Sequence, residues 1–230
     1  MTEDGKAAKA PTLLRHGLKQ ERAVRTYALI LNAAADIFAT KGFSDVTLVD
    51  IAVHAGVTKG AVYFHFTNKE AIAVAVSEEY YARLPALADG VKALDLSPLD
   101  MTVELLTRIA MALRDDKVFQ AAVRLHIEHF LIEGGLPTPF VSYTALVREL
   151  LEQARQLGQI EPGSNPDALA RVLVAAFFGA QHISWVLHGR VDIMERVQEV
   201  IDAFIPKLPL ALVGNHTSRA GDRGKGLGPR

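Results

Sequence analysis

The sequence predicts an all-α protein. Apolar residues recur at three- and four-residue intervals in a series of segments between Glu21 and Phe204. Glycines or prolines stand at the ends of most of those segments: Gly42, Gly56, Gly134 to Pro139, Gly158 and Gly189. No stretch alternates apolar and polar residues as a half-buried strand requires. Half of the 230 residues are hydrophobic, enough to build a core, and there is no cysteine. That absence excludes disulfides, thiolate metal sites and cysteine nucleophiles.

In chain order, residues 1–18 lack apolar periodicity and are expected to form a disordered arm. A first helix is expected from about Glu21 to Lys41, with Ile30, Ala33, Ala34, Ile37 and Phe38 as its buried stripe and Gly42 ending it. Thr47 can N-cap a short helix carrying Leu48, Ile51, Ala52 and Ala55 at helical spacing. Gly56 supplies the positive φ that ends it, and Thr58 can cap a second helix of about two turns, to Phe66. Asn68 then caps a long helix to about Leu87, with Glu70 complementing the dipole of its first turn. Further helices are expected over Asp100–Asp115, Val118–Ile132, Phe140–Leu157, Asp167–His188 and Val191–Phe204. Residues 208–230 read as a disordered basic tail. The segment Asp167–His188 is apolar on most sides, so one face needs a cover that a bundle this small does not supply. The same helix of a second subunit, together with the helix that follows, would provide it, as a two-fold homodimer.

The pair of short helices around Gly56 has the helix-turn-helix pattern. Its second helix would enter a DNA major groove by its N-terminal end. Lys59 and Tyr63 are four apart and share a face. Lys59 suits a guanine edge or a phosphate, and Tyr63 a thymine methyl or a phosphate. Thr58 can turn its hydroxyl to a phosphate, and Gly60 allows backbone to come close to the duplex. Ala61, Val62 and Phe64 are left to pack inward. The segment VTKGAVYFHFTNKEAI, with Phe64, His65, Phe66, Lys69 and Glu70 in the order aromatic, His, aromatic, two residues, Lys-Glu, resembles the recognition helix and following helix of TetR-family transcriptional regulators. The resemblance implies DNA contacts at Thr58, Lys59, Gly60, Tyr63, His65 and Lys69, and Thr47 completes the candidate set. It implies a three-helix helix-turn-helix head over residues 22–82 and a helical ligand-binding and dimerisation bundle over 83–207. The DNA partner would be a double-stranded, pseudo-palindromic operator.

The net charge is −1. Six Lys and Arg against three Asp and Glu make residues 1–25 net +3, and five against one make residues 207–230 net +4, leaving −8 between them. Phosphate attraction is therefore expected to be local, from Lys59, Lys69 and the arm. The polar N-terminus has no signal-peptide pattern, and the strictly apolar run Val172–Phe178 is too short to cross a bilayer. A soluble, cytoplasmic protein with no membrane partner is expected.

No Gly-x-Ser-x-Gly, phosphate-cradling glycine loop or His-Glu-x-x-His is present, so no enzyme and no cofactor is expected. His126, Glu128, His129 and Glu133 have helical spacing for a metal, but no second ligand cluster joins them, and no metal is assigned. Aromatic residues with a polar handle concentrate in the second half, and Gly179 and Ala180 leave room beside Gln181. The candidate ligand contacts are Tyr81, His126, Phe130, Tyr143, Gln181 and Trp185. The stretch LPTPFVSYTALVRELLEQARQLGQI is similar to the γ-butyrolactone receptor branch of TetR regulators, where a ligand-contacting tryptophan follows a Pro-Phe pair by three residues. Here Pro139-Phe140 is followed by Tyr143. The resemblance implies a small-molecule inducer: a γ-butyrolactone, butenolide or furan, or an antibiotic.

Overall fold

The computed structural model describes residues 10–205 apart from Gly134, with side chains from Lys19 onward. The described residues form helices α1 (Ala10–Lys41), α2 (Leu48–Ala55), α3 (Lys59–His65), α4 (Lys69–Lys92), α5 (Pro98–Asp115), α6 (Lys117–Ile127), α7 (Val141–Gln156), α8 (Pro166–His188) and α9 (Ile193–Phe204). A 3₁₀ turn, His129–Leu131, follows α6. Among these residues there is no strand.

Three boundaries differ from expectation by more than two residues. Helix α1 begins at Ala10, so residues 10–18 of the expected arm are helical. Residues 13–22 are Leu, Arg, Lys, Gln and Glu except at His16 and Gly17, a composition that favours helix, and Pro11 falls in the first turn, where its missing N–H is tolerated. Residues 1–9 of that arm and the basic tail lie outside the described residues. Helix α4 runs five residues past Leu87, through Pro85. Helix α6 stops at Ile127, five residues early, because Glu128 leaves helical geometry (φ −89°, ψ 11°) with its carboxylate bonded to the backbone of Phe43.

The helices of the head meet around Ile30, Ala34 and Phe38 of α1, Ile51 of α2, Val62 of α3 and Ile72 of α4, all fully buried. In the bundle, Leu105, Leu106 and Leu113 of α5, Leu125 of α6, Phe177 of α8 and Ile193 of α9 are equally enclosed. The two sets belong to one continuous core, joined because α6 packs along α1 and α4. Each of these side chains apart from Ala34 contributes roughly 1.5–3 kcal/mol by burial. Helix α8 is apolar and long enough to cross a bilayer. It is instead lined on one side by α7 and α9 and leaves Val172, Ile183, Val186 and Leu187 exposed along the other.

Candidate nucleic-acid interface and apolar cavity

The turn between α2 and α3 follows from local chemistry. Thr47 accepts from the Asp50 N–H at 3.2 Å, while the Asp50 carboxylate accepts from the Thr47 N–H at 2.9 Å, a reciprocal cap at the start of α2. The Thr47 hydroxyl also donates to the Asp50 carboxylate at 2.6 Å, and this bond, followed by that from the Thr47 N–H, holds the Asp50 carboxyl below its usual pKa. Gly56 closes α2 in the left-handed region (φ 65°). The Thr58 hydroxyl accepts from the Ala61 N–H at 3.2 Å and starts α3. Val62 is fully buried and anchors the helix, which leaves Lys59, Gly60, Tyr63 and Phe64 on its outer face.

Lys59 and Tyr63 meet as expected from their spacing, with the ammonium 5.6 Å from the ring centroid. Phe64 does not pack inward. It is 74% exposed, because it stands four residues from Gly60 and shares that residue's outer face. That spacing was readable in the sequence, so Phe64 joins the candidate interface. A Cβ built on Gly60 would meet only the Thr58 hydroxyl, at 4.0 Å. The fold itself therefore does not require glycine here. His65 is half-buried, its ring edge-on to Tyr27 of α1 at 6.0 Å. The ammonium of Lys69 donates to the Phe43 carbonyl at 2.7 Å and lies 4.1 Å from the Phe43 ring centroid. It ties α4 to the α1–α2 connection.

Between α4, α5 and α7 lies a cavity of about 270 Å³. Tyr81, Leu84, Pro85 and Ala88 line it from α4, Leu105 and Ile109 from α5, and Ser142, Tyr143 and Leu146 from α7. Its wall is mostly apolar, with three hydroxyls. Tyr143 is buried and its hydroxyl has no hydrogen-bond partner among the described residues. Burial, and then Tyr80, push its pKa well above the usual value. The Tyr81 hydroxyl lies 3.5 Å from His126 Nε2 and 3.4 Å from the Thr138 carbonyl, and burial raises its pKa to about 12. His126 stands behind Tyr81, and burial, reinforced by His129, lowers its pKa to about 4. It is neutral at neutral pH. Pro85 has no N–H to give to the Tyr81 carbonyl one turn earlier, so α4 loses a ladder bond at the cavity wall.

The structure brings together Tyr81, His126 and Tyr143 of the expected ligand set. It does not bring in the other three. Phe130 is 75% exposed, because the end of α6 at Ile127 puts it in the 3₁₀ turn, out of phase with the helix that would have turned it inward. Trp185 packs against the guanidinium groups of Arg124 and Arg190, where α8 approaches the head. Gln181 is buried, with its carbonyl oxygen unpartnered among the described residues, but is not part of the cavity wall. Ser142 was missed, although its four-residue spacing from Leu146 put both on one face. Glu128 faces Arg124 and Phe43 rather than His129, so the helical spacing of the 126–133 group is not realised.

Comparison with known proteins agrees with this architecture. Residues 30–76 match the family described as bacterial regulatory proteins, tetR family. The A-factor receptor protein of Streptomyces griseus is 34% identical over 190 residues, covering 83% of this chain and 66%, just under two thirds, of its own length. The HTH-type transcriptional regulator TtgR of Pseudomonas putida is 36% identical over 201 residues, covering 84% of this chain and 95% of that protein. A solved structure from work on the control of antibiotic production by bacterial hormones superposes with a TM-score of 0.74 at 48% identity, covering 79% of this chain and 96% of the other. A gamma-butyrolactone receptor (ArpA-like protein) superposes at 0.64 and 28% identity, covering 79% and 98%. With its capped α2–α3 pair, its single core and these matches over most of its length, the chain belongs to the tetR family of bacterial regulatory proteins.

Proposed function

We propose that this protein is a cytoplasmic, ligand-responsive transcriptional repressor. It binds a pseudo-palindromic operator as a homodimer and leaves it when a small diffusible molecule occupies the cavity. The observation that carries this reading is the course of α4. Its first turns pack Ile72 and Val76 into the head core, and Tyr81 to Ala88 form one wall of the cavity. A helix of 24 residues spans roughly 36 Å, its ladder continuous apart from the bond lost at Pro85, so displacement at the wall is felt at α3. The outer face of α3 supplies Lys59, Tyr63 and Phe64 to the major groove, Gly60 lets the backbone approach, and Thr58 and Thr47 flank the same surface.

The similarity to gamma-butyrolactone receptors supports a γ-butyrolactone, butenolide or furan ligand. An apolar chamber with hydroxyls from Tyr81, Ser142 and Tyr143 suits a compact, oxygen-bearing molecule of that size. The hydroxyls, with pKa values raised by burial at both tyrosines, serve as hydrogen-bond donors, and the protein acts by binding rather than by catalysis. Ligand preference for one of two head positions, worth about 1–3 kcal/mol, would weaken operator binding roughly 5- to 150-fold. The test is selection of an operator from random duplexes, followed by titration with a panel of γ-butyrolactones, butenolides and furans. A palindromic consensus and release by at least one class are expected. Sequence-independent binding would overturn the repressor reading, and indifference to every class would overturn the ligand assignment.

A further inference from the structure

The carbonyls at the end of α1 are capped from the other half of the molecule. A helix leaves its last four carbonyls without intrahelical partners. Here Arg124 of α6 donates from Nη1 to the Thr40 carbonyl at 2.7 Å and to that of Ala39 at 3.4 Å, and from Nη2 to that of Lys41 at 2.9 Å. Its Nε donates to Glu128 at 3.0 Å. The other oxygen of Glu128 accepts from the Phe43 N–H at 2.6 Å. One ion pair at the end of α6 thus holds both sides of the chain's exit from α1. The guanidinium also lies 5.2 Å from the Trp185 ring of α8, so head, α6 and α8 meet at a single side chain.

Gly42 is shaped to this arrangement. It has φ +85°, and a Cβ there would stand 2.6 Å from Arg124 Nη2 and 2.7 Å from Glu128 Oε1. Gly56 is also left-handed, yet a Cβ there would meet nothing within 4 Å. Two residues beyond Arg124, His126 reaches the Tyr81 hydroxyl behind the cavity wall. The short helix α6 therefore touches the cavity wall through His126 and grips the head through Arg124 and its capping residue Glu128.

We propose that Arg124 and Glu128 are positioning residues forming a latch that fixes the head against the bundle, with Gly42 as its reserved space, and that α6 carries cavity occupancy to the head through this latch. A helix shift of about 1–2 Å is enough to stretch such bonds beyond hydrogen-bonding distance. The latch stands on the geometry of the chain itself, and its part in release rests on the repressor reading.

The experiment needs neither DNA nor ligand, so its failure is separate from failure of that reading. The chain has no cysteine. Val24→Cys on α1 and Leu157→Cys beyond α7, both exposed, accept one spin label each, and labelled chains are diluted into unlabelled ones. The within-chain distance distribution is then read by pulsed electron resonance. The otherwise unaltered protein should give one narrow distribution. Arg124→Met should broaden or shift it by ~2 Å or more, the scale of an interface helix shift. Arg124→Lys, which keeps the charge but cannot fan donors over three carbonyls, should do the same and decides the matter if the Met variant does not fold. Gly42→Ala should reproduce the effect, and Gly56→Ala should not. Distributions for the Arg124 variants that match the unaltered protein, or equal effects of the two glycine substitutions, would overturn the latch.

Discussion

Gly60 separates the needs of the fold from those of a partner. Glycine within a helix costs about 1 kcal/mol relative to alanine, and no neighbour in the fold occupies the space a methyl group would take. Gly60→Ala should therefore raise thermal stability by roughly that amount while weakening operator binding. Stability gained with operator affinity intact would remove the close-approach role. On the same face, Lys59→Ala and Tyr63→Ala should each weaken operator binding by about 1–3 kcal/mol and leave the melting curve in place. The salt slope should become shallower for Lys59→Ala if its contact is a phosphate. Unchanged affinity in both variants would dissociate α3 from DNA reading. Tyr143 allows a similar separation. Its buried hydroxyl has no protein partner among the described residues, so Tyr143→Phe should not lower stability. Ligand-induced release should weaken by about 0.5–1.5 kcal/mol. Titrated release beside melting curves distinguishes the two, and a lowered melting point with normal release would make Tyr143 a core residue.

Helix α6 shows how much a boundary decides. Its break after Ile127 lets Glu128 turn to the head, leaves His126 behind the cavity wall and exposes Phe130. Burial keeps His126 neutral in the folded protein, with its pKa near 4 against 6.5 when unburied. The unfolded chain thus binds the additional proton between those values. The stabilisation from a neutral His126 is complete above pH ~6.5 and is lost as pH falls towards ~4, amounting to roughly 3 kcal/mol. Urea unfolding at pH 7.5 and pH 4.5 should show most of that loss in the parent protein and little of it in His126→Gln. An equal pH response in both would place the titration elsewhere.

At the scale of the whole molecule, the exposed stripe Val172, Ile183, Val186 and Leu187 on α8 is the surface that the proposed homodimer would cover. Leu187→Glu would bury a charge in such an interface. It should shift the protein to monomers in analytical ultracentrifugation and weaken operator binding through loss of the second head, while the helical content of each chain persists. A variant that stays dimeric would move the interface to another face. The same stripe explains why α8 has a composition suited to a bilayer without being enclosed by its own chain.

Some of this was legible in the sequence because the physics is local. Thr47, Gly56, Thr58 and Asn68 cap or end helices through bonds to residues three or four positions away, and the placement of α2, α3 and the start of α4 follows from them. Periodicity likewise identified the buried stripe of α1, and the spacing of Lys59 and Tyr63 their shared face. The cavity and the head–bundle junction were not legible in this way. Whether Trp185, Gln181 or Phe130 faces a ligand depends on helix phase and on what a neighbouring helix presents, and a single break at Glu128 alters both. Arg124 and Glu128 reach partners 83 to 85 residues away, and no spacing rule connects them to Thr40 or Phe43. The chain alone determined α2 and α3, and only the packing of α6 against α1 decided how the head that carries them is held.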